Sequence, residues 1–158
     1  MALAYAKLLR MTMGIERPEQ AEISVQPPKF TGPQLELIQG FVDGNSKSYD
    51  YESLPDDLVV AMEEKSKRLA AIKAIKLAVR FNFVTTERLH PPKESLNDVQ
   101  LTILACTYRG LSMAQTAEEL RISNGHTAYL RSSTFKIIGV NNFLQATGWI
   151  EKYSRNNG

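Results

Sequence analysis

Apolar residues recur at helical spacing along most of this 158-residue chain. Ile72, Ile75 and Val79 stand at i, i+3 and i+7, with Ala71 and Ala78 beside them. That spacing gathers side chains on one face of a helix. In residues 98–109, Leu101, Leu104 and Tyr108 share a face, with Ile103 and Cys106 close to it. No segment alternates apolar and polar residues long enough to predict a strand. The pattern therefore predicts an all-α protein.

Two proline pairs punctuate the helical pattern. Pro27-Pro28 and Pro91-Pro92 cannot sit mid-helix, because a residue before proline is pushed out of the helical region. They divide the chain into an N-terminal arm (1–29), a helical block (30–90) and a C-terminal block (94–158). In the arm, Leu3, Ala6, Leu9 and Arg10 give residues 2–13 one modest edge for a short helix. Residues 14–29 read as extended.

The two blocks begin alike. Residues 30–46 align without gaps on residues 96–112, pairing Gln34 with Gln100, Leu35 with Leu101, Gly44 with Gly110 and Ser46 with Ser112. At a spacing six residues shorter, Lys76, Asn82 and Phe83 pair with Lys136, Asn142 and Phe143. Either the chain carries a diverged internal duplication, or two amphipathic helices ending in glycine resemble each other by chance. The order of the two matches favours duplication.

The C-terminal block carries the clearest local signals. Gly110 can take the left-handed conformation that ends a helix. Ser112 with Gln115 three residues later forms a capping box, opening a short helix Met113–Leu120. Ala117 is small enough for a second helix to cross closely, and Leu120 and Ile122 give the turn apolar contacts. Ser123 is a second N-cap, and a third helix runs to about Ile138 before Gly139. Short helix, tight turn and longer helix make the motif whose second helix enters the DNA major groove.

These residues resemble the LuxR-type (GerE-like) DNA-binding domain of bacterial transcription regulators. The likeness runs ungapped over residues 96–146 and includes Leu96, Ile103, Leu104, Gly110, Leu111, Ser112, Ala117, Glu118, Leu120, Ile122, Ser123, Gly139, Val140, Gln145 and Ala146. It implies a four-helix domain: Met113–Leu120 as scaffold, Asn124–Ile138 as recognition helix, and residues 141–153 as a fourth helix often used for dimerisation. Phe143, Leu144, Trp149 and Ile150 would form a homodimer seam, unless they pack on their own domain. The family usually places Lys or Arg near positions held here by Gly125, Ala128 and Phe143. Arg131 stands where an apolar core residue is expected, and Thr127 where Val is common.

Charge adds a second line. The net charge is only +2, but residues 1–64 hold five Lys/Arg against eleven Asp/Glu, and residues 65–158 hold fourteen against six. A basic half suits a nucleic-acid partner, though two differing solvated surfaces would look the same. On the third helix, Asn124, His126, Tyr129, Arg131, Ser132, Ser133 and Lys136 are the candidates to face DNA. Asn124 has the chemistry to read adenine, and Arg131 and Lys136 to hold phosphate, unless the Arg131 stem covers apolar surface. In the middle block, Lys65, Lys67, Arg68, Lys73, Lys76 and Arg80 lie within sixteen residues. Lys73, Lys76 and Arg80 fall near one another and would add backbone contacts, or form an ordinary polar face.

Little points to catalysis. His90, His126 and the lone Cys106 have no metal-ligand spacing, and no phosphate loop or nucleophile elbow is present. No enzyme activity, cofactor or metal is expected. Cys106 reads as a core residue. With no export signal or membrane-length apolar run, a cytoplasmic, nucleoid-associated setting is expected. The sequence thus predicts a DNA-binding transcription regulator with tandem helix-turn-helix units. The alternative is a helix-turn-helix fold that docks RNA polymerase or another regulator. DNA binding for replication or plasmid maintenance would leave the same residues.

Overall fold

The computed structural model describes residues 27–45 and 50–155. Among these there are seven α-helices, one 3-10 turn (Asp50–Ser53) and no strand, so the protein is all-α. The helices are α1 (Gly32–Val42), α2 (Asp56–Ala61), α3 (Lys67–Arg80), α4 (Asp98–Tyr108), α5 (Met113–Leu120), α6 (Asn124–Ile138) and α7 (Phe143–Arg155). None of the described helices is long and apolar enough to cross a membrane. The helix expected over 2–13, and the arm up to residue 26, lie outside the described residues.

The last helix forms the centre. α7 packs against α1, α3, α4 and α6, and every residue from Asn142 to Glu151 is buried. Trp149 is wholly enclosed, and its indole N–H donates to the His90 carbonyl at 2.8 Å. The connection between α3 and α4 is tied down on the same helix. Lys152 Nζ donates to the carbonyls of Thr86 (2.9 Å) and Leu89 (3.0 Å). Phe143, Leu144, Trp149 and Ile150 are therefore core residues of their own chain. Of the two roles expected for them, a dimer seam or packing on their own domain, the second is the one observed. A helix covered on all sides by one chain has no apolar face left for a second.

The apolar core does not respect the proline boundary. Ile38, Phe41, Leu58 and Ile75 from the middle block join Leu104, Ile138, Leu144 and Trp149 from the C-terminal block in one cluster. Pro91-Pro92 marks a change of element, not a change of core.

The first of the two sequence matches recurs in the geometry. Thr31 caps α1 and Asn97 caps α4, each in a capping box with the glutamine three residues on, Gln34 and Gln100. Both helices close the same way. Gly44 and Gly110 take left-handed φ values of 75° and 79°. The Gly44 N–H bonds the Phe41 carbonyl, and that of Gly110 bonds the carbonyl of Thr107. The second match does not recur. Asn82 is the left-handed residue that ends α3, whereas Asn142 accepts from the Leu144 and Gln145 amides and opens α7. Phe83 is 40 % exposed and Phe143 only 6 %. The shared letters sit at opposite ends of helices, so they carry no common packing role.

Candidate nucleic-acid interface

The α5–α6 pair is built by its caps. Ser112 accepts from the Gln115 amide and Gln115 returns a bond to the Ser112 N–H, satisfying two orphan donors at the start of α5. Arg121 ends the helix in the left-handed region at φ 58°, and the Ile122 N–H reaches back to the Ala117 carbonyl at 3.1 Å. Ser123 then caps α6 through the His126 amide. Three residues thus reverse the chain between two helices that pack on each other and on α4.

α6 has two distinct sides. Thr127, Thr134, Phe135 and Ile138 are buried. Asn124, Gly125, His126, Ala128, Tyr129, Ser132 and Lys136 are exposed, Tyr129 by 70 %. Ser133 is half-buried. Gly125, Tyr129, Ser132 and Lys136 follow i, i+4, i+7, i+11 spacing and so form one continuous stripe. Thr127 is wholly enclosed, and its hydroxyl donates to the Ser123 carbonyl at 2.8 Å.

Arg131 is half-buried at the edge of the stripe. Its guanidinium lies 5.3 Å from the Phe135 ring centre and 5.8 Å from that of Phe143. Burial, and then the nearby charge of Arg68, pull its pKa down. Its stem covers apolar surface, as one of the two expected roles required.

The basic middle helix is placed differently from its expected role. α3 buries Ala70, Ala71, Ile72, Ala74, Ile75, Leu77, Ala78 and Val79, leaving little polar face. Lys73 Nζ donates to the Met62 carbonyl at 2.7 Å. Lys76 Nζ sits 3.9 Å from the Tyr108 ring centre. Arg80 pairs with the buried Glu151 at 2.9 Å, and the Tyr108 hydroxyl donates to the same carboxylate oxygen at 3.0 Å. Lys76 and Arg80 stabilise the interior junction of α3, α4 and α7, and Lys73 ties α3 to the end of α2. The physical reason is desolvation: a charge held at a half-buried position takes the nearest partner in its own chain.

Glu151 and Arg68 escaped sequence reasoning as interaction partners. A lone carboxylate in the apolar stretch Leu144–Glu151 was the available signal for the first. The α5 surface beside α6 is acidic. Glu118 and Glu119 border a shallow depression with Leu111, Gln115 and Arg121, and Arg109 pairs loosely with Glu119 at 3.9 Å. Cys106 is buried, and burial foremost raises its thiol pKa. No cluster of three metal-ligating side chains exists among the described residues. No protein-family model, curated protein or solved structure matches this chain.

Proposed function

We propose that the protein is a DNA-binding transcription regulator that inserts α6 into the major groove. It would act at the nucleoid of a bacterial cell or on a mobile element. The exposed stripe of α6, opposite a buried face and joined to α5 by a three-residue turn, carries this reading. The LuxR-type resemblance of residues 96–146 supports it. Gly125, Ala128 and Ser132 are small, so the helix backbone can approach base edges, with Asn124, His126 and Tyr129 within reach of the groove. Lys73, Lys76 and Arg80 are left out of the interface, because each is engaged within the fold.

The test is duplex binding across a salt series, using genomic fragments. Affinity should fall steeply with salt, and Lys136→Ala should reduce the slope by about one. Tyr129→Ala should weaken binding to the selected site more than to random duplex. A mobility shift that is absent, or indifferent to salt, would sink the proposal.

One observation favours a second reading, docking of RNA polymerase or another regulator. The α6 stripe bears a single full charge, Lys136, and its neighbour α5 presents Glu118 and Glu119. Capture of a defined polymerase subunit by a chain with no duplex affinity would select this reading.

A further inference from the structure

Two arginines from distant parts of the chain meet on one aromatic ring. Arg68, near the start of α3, places its guanidinium 4.9 Å from the centre of the Phe143 ring. Arg131, from the middle of α6, lies 5.8 Å from the same centre. Both side chains are half-buried, so water screens their mutual repulsion only in part. Among the described residues neither has a carboxylate partner. Arg68 donates to the carbonyls of Gly110 and Leu111 at the end of α4, which fixes its position and leaves other N–H groups over. Arg131 makes no hydrogen bond to the described residues at all. A guanidinium carries five donors, and leaving them unmet at a half-buried position is costly. Burial first, and then the charge of Arg68, depresses the pKa of Arg131.

We infer that Arg68 and Arg131, set against Phe143, form a binding site for a phosphate group. Phosphate suits the place for three reasons. It carries enough charge to relieve both of the cations gathered at this ring. Its oxygens match the fork of a guanidinium. The ring gives both cations a fixed platform. The group could be a free phosphate or a phosphate of a nucleic-acid backbone, since the site flanks the exposed stripe of α6. The site does not depend on α6 entering a groove.

The test titrates the full-length chain with inorganic phosphate at constant ionic strength, chloride being the control, and separately with a short duplex of arbitrary sequence. Binding is followed by NMR at the Arg68 and Arg131 side chains, and by the melting temperature. Phosphate should saturate and raise the melting temperature of the wild type. Arg131→Met should weaken binding roughly tenfold or more, and Arg68→Met likewise. Arg131→Met should fold well, because an apolar side chain suits Phe135 and Phe143. Arg131→Lys should fall between, having the charge without the fork. Weakening of inorganic phosphate binding in the variants assigns a site for free phosphate. Weakening of duplex binding alone assigns a backbone phosphate. Wild type and Arg131→Met responding equally to both probes would overturn the site. Phosphate binding without duplex binding would leave the site standing and remove the DNA-binding proposal.

Discussion

Glu151 shows how one buried charge organises its surroundings. Its side chain is fully buried, and Arg80 is 14 % exposed. One carboxylate oxygen accepts from the Arg80 guanidinium and from the Tyr108 hydroxyl, so α3 and α4 are both bonded to α7 through a single atom. Lys76 lies over the Tyr108 ring and adds positive potential to the same spot. Such a pair is not a large net source of stability, because desolvation opposes its attraction. Breaking it from one side is another matter. Glu151→Ala leaves Arg80 beside an apolar core and should cost about 3–5 kcal/mol in urea unfolding. Replacing the pair together, Arg80→Met with Glu151→Leu, should cost much less. Equal costs for the single and double variants would show that the pair does not act as a unit.

At the scale of elements, helix ends carry much of the specificity. Three capping boxes open α1, α4 and α5, and left-handed residues follow most of the helices they close. Two of those closing glycines differ in a way that can be measured. Gly139 has φ 74° and open space where a Cβ would stand. Gly139→Ala should therefore cost only the left-handed strain, about 1–2 kcal/mol. Gly44 has φ 75°, and a Cβ there would lie 2.5 Å from Gln145 Oε1. That oxygen already accepts from the Asn141 amide at 2.8 Å, and Asn141 Nδ2 donates back to the Gly44 carbonyl at 2.9 Å. The amide cannot yield without losing the joint between α1 and the start of α7. Gly44→Ala should cost at least about 1 kcal/mol more than Gly139→Ala. Equal destabilisation of the two variants in denaturant titrations would show that this joint yields freely.

Across the whole molecule, α7 couples the two blocks. α1 and α3 cover one part of it, and α4 and α6 another. A fragment holding residues 94–158 would lose the α1 and α3 cover and expose Trp149, Ile150 and Ala146, all fully buried in the intact chain. It should bind a hydrophobic dye and unfold without a sharp transition, while the full chain unfolds in one step. A fragment that melts cooperatively near the temperature of the full chain would show that the C-terminal block folds alone.

The features the sequence determined by itself are local ones. The all-α class, the capping box of α5, the Arg121–Ser123 turn and the ends at Gly110 and Gly139 follow from residues within four positions of one another. Backbone hydrogen bonds and left-handed φ values are settled over that distance. The likeness of α1 to α4 was readable for the same reason. Tertiary structure alone decided which charged groups face water. Arg80 and Glu151 are 71 residues apart in sequence, and Arg68 and Arg131 meet only because the fold brings both to the Phe143 ring. A helix rich in lysine and arginine reads as a solvated basic face until its neighbours are known. Here α7 packs across it, and desolvation then turns its cations inward toward carbonyls, a ring and a carboxylate. The stripe left exposed on α6 is the surface that remained once that packing was complete.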